Sequence, residues 1–108
     1  MSDPEQFDFI VVGAGSAGCV LANRLTEYGR YSVLLLEAGG PDASPWIHIP
    51  LGYGRHFADP RVNWLYESEP HPATGDRAIP EPRGKVLGGS SSINGLVYVR
   101  GHRRDYDN

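Results

Sequence analysis

The sequence runs to 108 residues with 13 acidic and 10 basic side chains, a formal net charge of −3 and 40% hydrophobic content. Its Lys and Arg are scattered and outnumbered, which argues against a nucleic-acid surface, and no apolar run reaches membrane-span length, so no membrane association is indicated. The acidic opening Met1–Gln6 lacks the basic start of a signal peptide and the lone Cys19 allows no internal disulfide, so the expected compartment is the cytoplasm.

In chain order, Phe9–Val12 is a short run rich in β-branched residues and reads as a buried parallel strand. Gly13, Gly15 and Gly18 follow at G-x-G-x-x-G spacing. Gly13 permits the turn out of the strand, Gly15 lets backbone approach a ligand, and Gly18 lets the next helix lie close to the strand. That helix is expected over residues 16–28, with Ala17, Leu21, Leu25 and Tyr28 on one face. Its N-terminus, at Ser16 and Ala17, presents free N–H groups and the positive end of a dipole, which suits a pyrophosphate. Gly29 closes the helix, and Ser32–Leu36 reads as a second strand. Glu37 falls at the end of that strand, 19 positions after Gly18, where a carboxylate accepts hydrogen bonds from an adenosine ribose and repels a 2′-phosphate. A dinucleotide-binding β-α-β unit is the reading; NAD and FAD both remain open at this point.

Residues 41–84 hold eight of the nine prolines and show little periodicity. Trp46, Tyr53, Phe57, Trp64 and Tyr66 make a disordered linker a poor description, because disordered segments are poor in aromatics. An ordered, irregular excursion is expected instead. Two strands cannot bury both faces of a parallel sheet, so the chain reads as the first part of a larger protein.

The second constellation is Gly84-Lys85-Val86-Leu87-Gly88-Gly89-Ser90-Ser91-Ser92-Ile93-Asn94. Alone, its Gly/Ser run resembles a flexible linker, and Asn94-Gly95 a hairpin turn. Flanking Val86, Leu87, Ile93 and Leu96–Val99 call for burial, so the run is expected to bring backbone N–H groups and hydroxyls against a polar cofactor.

Together, Val12–Gly18, Leu36–Gly39, Asn63-Trp64 and the run from Gly84 to Asp107 resemble the glucose–methanol–choline oxidoreductases, and within them the choline dehydrogenase-like alcohol dehydrogenases. The resemblance covers essentially the whole chain. It implies an α/β fold, the N-terminal part of a Rossmann-like FAD-binding domain, with an incomplete parallel sheet and the long irregular excursion at 41–84. It makes residues 1–108 a portion of that domain, with the substrate domain largely absent.

The resemblance also implies FAD rather than NAD. Gly13, Gly15, Ser16, Ala17 and Gly18 would cradle the pyrophosphate, with Glu37 and Ala38 at the adenosine ribose. Val86, Gly88, Gly89, Ser90, Asn94, Gly95, Leu96 and Val97 would run along the flavin side. Trp64 stands where the family places an aromatic near the cofactor; the competing reading is a core tryptophan. Some members attach FAD through a His just before the Asn of this signature. That position is Ile93 here, so FAD is expected to be non-covalent.

The implied reaction is oxidation of a primary alcohol, a small-molecule substrate, by hydride transfer to flavin N5. The family's His base lies downstream of these residues, so no catalytic residue is expected within the chain, which is expected to be inactive alone. His48, His56, His71 and His102 read as surface or packing residues, and no metal-ligand cluster is present in the pattern. Half of a split flavoprotein, a non-redox member resembling hydroxynitrile lyases, and an NAD-binding Rossmann domain are the alternatives. Oligomeric state is not legible.

Overall fold

The computed structural model describes residues 5–107, so Met1–Pro4 of the opening segment and Asn108 lie outside the described residues. Phe9–Val12 forms β1 and Val33–Leu36 forms β2, parallel strands in a register that pairs Phe9 with Val33 and Val12 with Leu36. A side-chain lock reinforces that register. The Ser32 backbone N–H and hydroxyl both donate to the Asp8 carboxylate, at 2.7 and 2.8 Å. Those bonds, the backbone one first, hold the Asp8 carboxyl below the usual carboxylate range. Ser32 is thus spent on the lock, and β2 starts one residue later than its apolar pattern indicates. At the opposite end the Gly13 N–H donates to the Leu36 carbonyl at 2.7 Å and carries the ladder into the turn.

The crossover helix α1 spans Ser16–Thr26, two residues shorter than the periodicity predicts. Gly29 follows at φ +63° and returns its N–H to the Thr26 carbonyl at 3.0 Å. The half-buried face is Gly18, Cys19, Ala22 and Leu25; Ala17, Leu21 and Tyr28 are exposed. The helix is therefore rotated by about one residue from the expected face. Gly18 dictates this, because its bare Cα lies where a Cβ would run into the Gly13 carbonyl.

The Pro-rich excursion folds into short, turn-dominated pieces. A single helical turn, α2 (Pro45–His48), leads into a 3-10 segment over Pro50–Ala58. Two-residue strands β3 (Tyr66–Glu67) and β4 (Pro80–Glu81) then pair antiparallel around a 3-10 turn at Pro72–Thr74. The His71 Nδ1 accepts the Ala73 N–H at 3.1 Å to cap that turn, and His102 caps Arg103–Asp105 in the same way. His48 bonds the Asp42 carbonyl at 2.8 Å, while His56 is buried. Neither ring nitrogen of buried His56 has a hydrogen-bond partner among the described residues.

Asp59 grips Arg61 with both carboxylate oxygens, at 2.9 and 2.7 Å, and also accepts the Arg61 N–H. These bonds, the side-chain ones first, lower the Asp59 carboxyl from 3.8 to about 2. A carboxyl depressed on folding contributes stability above its unfolded value and loses it as pH falls through the folded one. Acid titration should therefore loosen this turn between about pH 4 and pH 2. Thermal melts of the native protein and of Asp59→Asn check this: the native melting point should fall across that window, and the variant's should fall less.

The buried apolar core among the described residues is small: Ala14, Val86 and Ile93. All three belong to the glycine-bearing segments and none to the outer faces of the sheet, where Ile10, Val12 and Leu36 stay exposed. The radius of gyration is 18.0 Å, against about 13 Å for a compact chain of this length. The structure is organised around the junction of those segments.

Candidate functional site

Three segments distant in sequence converge through their backbones. The Gly88 N–H donates to the Ala14 carbonyl at 2.7 Å, and the Leu87 N–H to the Gly40 carbonyl at 2.9 Å. A Cβ on Gly39 would overlap the Lys85–Val86 peptide, and one on Gly84 the Gly89 carbonyl. One on Gly89 would approach the Gly15 Cα to 2.9 Å. Side chains at these points would hold the turn after β1, the turn after β2 and the segment at 84–90 apart. Gly/Ser content there serves close backbone packing, and the linker reading fails.

The convergence walls a cleft of about 610 Å³, within the range of small-molecule and cofactor sites. Val12, Gly13 and Gly15 line one side, and Leu36, Glu37 and Ala38 a second. Trp64, Tyr66, Arg83, Gly84, Gly89 and Ser90 complete it. An added Cβ on Gly13 or Gly15 would meet no protein atom within 4 Å, so those two glycines leave room on the side where a ligand would lie. At the head of α1 no side chain caps the helix and no acidic residue occupies the first turn, so its leading N–H groups and dipole stay available to an anion.

Glu37 has a part that its sequence position does not reveal. Its Oε2 accepts the Ala14 N–H and its Oε1 the Gly39 N–H, both at 2.8 Å. The carboxylate thus ties the cradle to the turn after β2, and its remaining lone pairs are available to a hydroxyl-bearing ligand. Trp64 is 41% exposed on the cleft wall. It stacks on Tyr66 with ring centroids 5.9 Å apart, and the Lys85 ammonium sits 4.7 Å from its ring centre.

Of the residues singled out from sequence, Gly13, Gly15, Glu37, Ala38, Trp64, Gly89 and Ser90 meet at the cleft. Ser16, Ala17 and Gly18 form the first turn of α1. Val86 is fully buried behind the cleft, and Gly88 holds φ +90° where the segment turns. Asn94, Gly95, Leu96 and Val97 lie past the 3-10 turn Gly89–Ser92 and do not line the cleft. No hairpin forms at Asn94-Gly95. The Asn94 side chain instead accepts the Leu96 N–H at 2.9 Å, and Leu96 adopts φ +58°. Val97, Tyr98 and Val99 are exposed, contrary to the burial their composition calls for. Tyr66, noted in sequence only as one aromatic of the excursion, and Arg83 also line the cleft. A two-residue strand at Tyr66 and irregular backbone at Arg83 carry no periodic signal that could have marked them as site residues. Among the described residues no three His, Cys, Asp or Glu side chains gather as a metal site, and no helix is long and apolar enough to cross a membrane.

Residues 7–108 match the family model described as GMC oxidoreductase. An oxygen-dependent choline dehydrogenase of Rhizobium etli (strain CIAT 652) is 54% identical over 102 residues, covering 94% of this chain and 19% of that protein. The protein of the same description from Photobacterium profundum is 52% identical over 101 residues, 94% of this chain and 18% of the relative. Among solved structures, pyridoxine 4-oxidase from Mesorbium loti superposes with a TM-score of 0.81 at 38% identity, covering 94% of this chain and 20% of that one. A formate oxidase superposes with a TM-score of 0.82 at 35% identity, covering 99% and 19%. The chain spans about a fifth of the length of the relatives it matches.

Proposed function

The chain belongs to the GMC oxidoreductase family, and from that membership we propose that it forms the FAD-binding part of an enzyme that oxidises a small primary alcohol. The observation that carries the reading is the convergence of three glycine-bearing backbones with the Glu37 carboxylate around one cleft. The fit to FAD is chemical as well as steric. The head of α1 offers N–H groups to a pyrophosphate, Glu37 offers acceptors to ribose hydroxyls, and the bare faces of Gly13 and Gly15 leave room for both.

When bound, FAD supplies a two-electron acceptor for an alcohol's hydride. This chain's own residues bind and orient. Gly13–Gly18 hold the diphosphate, and Glu37 with Ala38 holds the adenosine ribose. Trp64 gives an apolar wall, while Gly88, Gly89 and Ser90 close the cleft from the far side. Asn94–Val97 lie outside this cleft and would meet the flavin beyond it, while buried Val86 would support the segment from behind. The proton-accepting group lies outside this set of residues. The names of the relatives, choline dehydrogenase above all, support a small alcohol as substrate.

The purified native protein should show flavin absorption bands, and acid precipitation should leave free FAD in the supernatant. Ile93 supports that release, since a buried hydrocarbon offers no nucleophile for attachment. A protein without flavin bands would overturn the function. Flavin pelleting with the polypeptide would overturn its non-covalent attachment.

A further inference from the structure

Asn63 is 2% exposed and stands behind the cleft wall, outside the ring of residues that line it. Its side chain is fully engaged. Nδ2 donates to the carbonyls of His56 and Phe57, at 3.2 and 3.0 Å. Oδ1 accepts the N–H groups of Leu65 and Arg83, both at 3.0 Å. The amide orientation is fixed by its partners, because a flip would set donors against donors and acceptors against acceptors.

These four bonds join three pieces of backbone: the end of the 3-10 segment, the stretch Trp64-Leu65 leading into β3, and the stretch Arg83-Gly84 that follows β4. Backbone bonds from Trp64 N–H to Arg83 carbonyl (2.9 Å) and Lys85 N–H to Val62 carbonyl (2.8 Å) run on either side of Asn63. Leu65 sits at φ +55°, a left-handed conformation costly for a branched apolar residue, and its N–H is one of the two that Oδ1 holds. On either side of Leu65, the Trp64 and Tyr66 rings stack at the cleft wall with planes 8° apart.

We infer that Asn63 is a positioning residue for the cofactor cleft, setting the place of the Trp64–Tyr66 wall relative to Arg83 and Gly84 without touching the ligand. The inference rests on the cofactor reading above. It assigns Asn63 a specificity for wall position, which a residue of general stability would lack.

The experiment is a double-mutant cycle of Asn63→Ala with Trp64→Ala in the intact native protein, read as FAD affinity with melting point as a control. N63A should weaken FAD about tenfold or more, the scale of stripping a buried amide that serves four partners. In the W64A background the same change should cost about twofold or less, because the wall it positions is already gone. Asn63→Asp adds a spectroscopic and pH signature. Ionised, the carboxylate faces two carbonyls without a donor; protonated, it regains one. Against the native protein at the same pH, N63D should lose FAD at about pH 8 and recover part of it at about pH 5, with Trp64 emission changing in step. Equal FAD losses from N63A in both backgrounds would overturn the inference, as would an N63D defect independent of pH. So would failure of both Asn63 variants to accumulate folded while W64A folds normally, since that marks a residue of general stability. A native protein without flavin would overturn the functional reading itself, a result distinct from all of these.

Discussion

Gly18→Ala is expected to yield a protein that retains no FAD and melts well below the native one. The added methyl would collide with the Gly13 carbonyl oxygen and come within 3.3 Å of Val11 Cγ1. Neither can move cheaply, since Gly13 is fixed by its bond to Leu36 and Val11 by its pairing with Leu35. Alanine in a helix gains about 0.5–1 kcal/mol over glycine from backbone entropy. Overpacking a closed site costs about 1–3 kcal/mol or more, so the collision wins. The helix must slide along β1 to relieve it, and its leading N–H groups move off the cradle. Flavin content and urea midpoint are the measurements. A G18A protein with native flavin content would mean that close helix–strand contact does not set the site.

Replacing Glu37 should have the second largest effect, and through two routes. Glu37→Ala leaves the Ala14 and Gly39 N–H groups without acceptors; orphaning such a group when buried costs about 1–3 kcal/mol, and these part-buried ones fall at the lower end. It also removes the ribose acceptor. FAD affinity should fall by about a hundredfold or more, with a smaller loss of stability. Glu37→Gln separates the two routes. Its single carbonyl oxygen can serve one of the two N–H groups while its NH₂ faces the other, so its affinity should lie between native and E37A. Titration of apoprotein with FAD, alongside urea melts without it, resolves both. E37A binding FAD as tightly as the native protein would refute the assignment.

Much of this site was legible because its requirements fall on the backbone. Gly13, Gly15 and Gly18 are placed by what a turn and a close approach demand, and those demands show directly as glycine in sequence. Strands β1 and β2 were legible for a similar reason, being continuous apolar runs bounded by turn residues. The face of α1 was misjudged by one residue, because packing on Gly18 outweighed the side-chain pattern. Asn63 stood out beside Trp64 in the resemblance, but nothing local to it revealed its role. Its four partners come from positions 56, 57, 65 and 83, which sequence proximity does not bring together. The apolar run Leu96–Val99 read as buried and stands exposed, since burial depends on what packs against a segment as well as on its composition.

The bond from the Gly88 N–H to the Ala14 carbonyl joins residues 74 positions apart, and the far wall of the cleft depends on it. Closing so long a loop costs chain entropy before any contact offsets it, so this wall should be among the last parts to settle during folding. The cofactor then acts as a ligand of the finished state alone. Free FAD at a hundred times its dissociation constant would add about 2.7 kcal/mol to that state. Flavin supply during synthesis would accordingly influence how much of the polypeptide survives to maturity, and starving cells of riboflavin should deplete the protein itself before it depletes the flavin content per molecule.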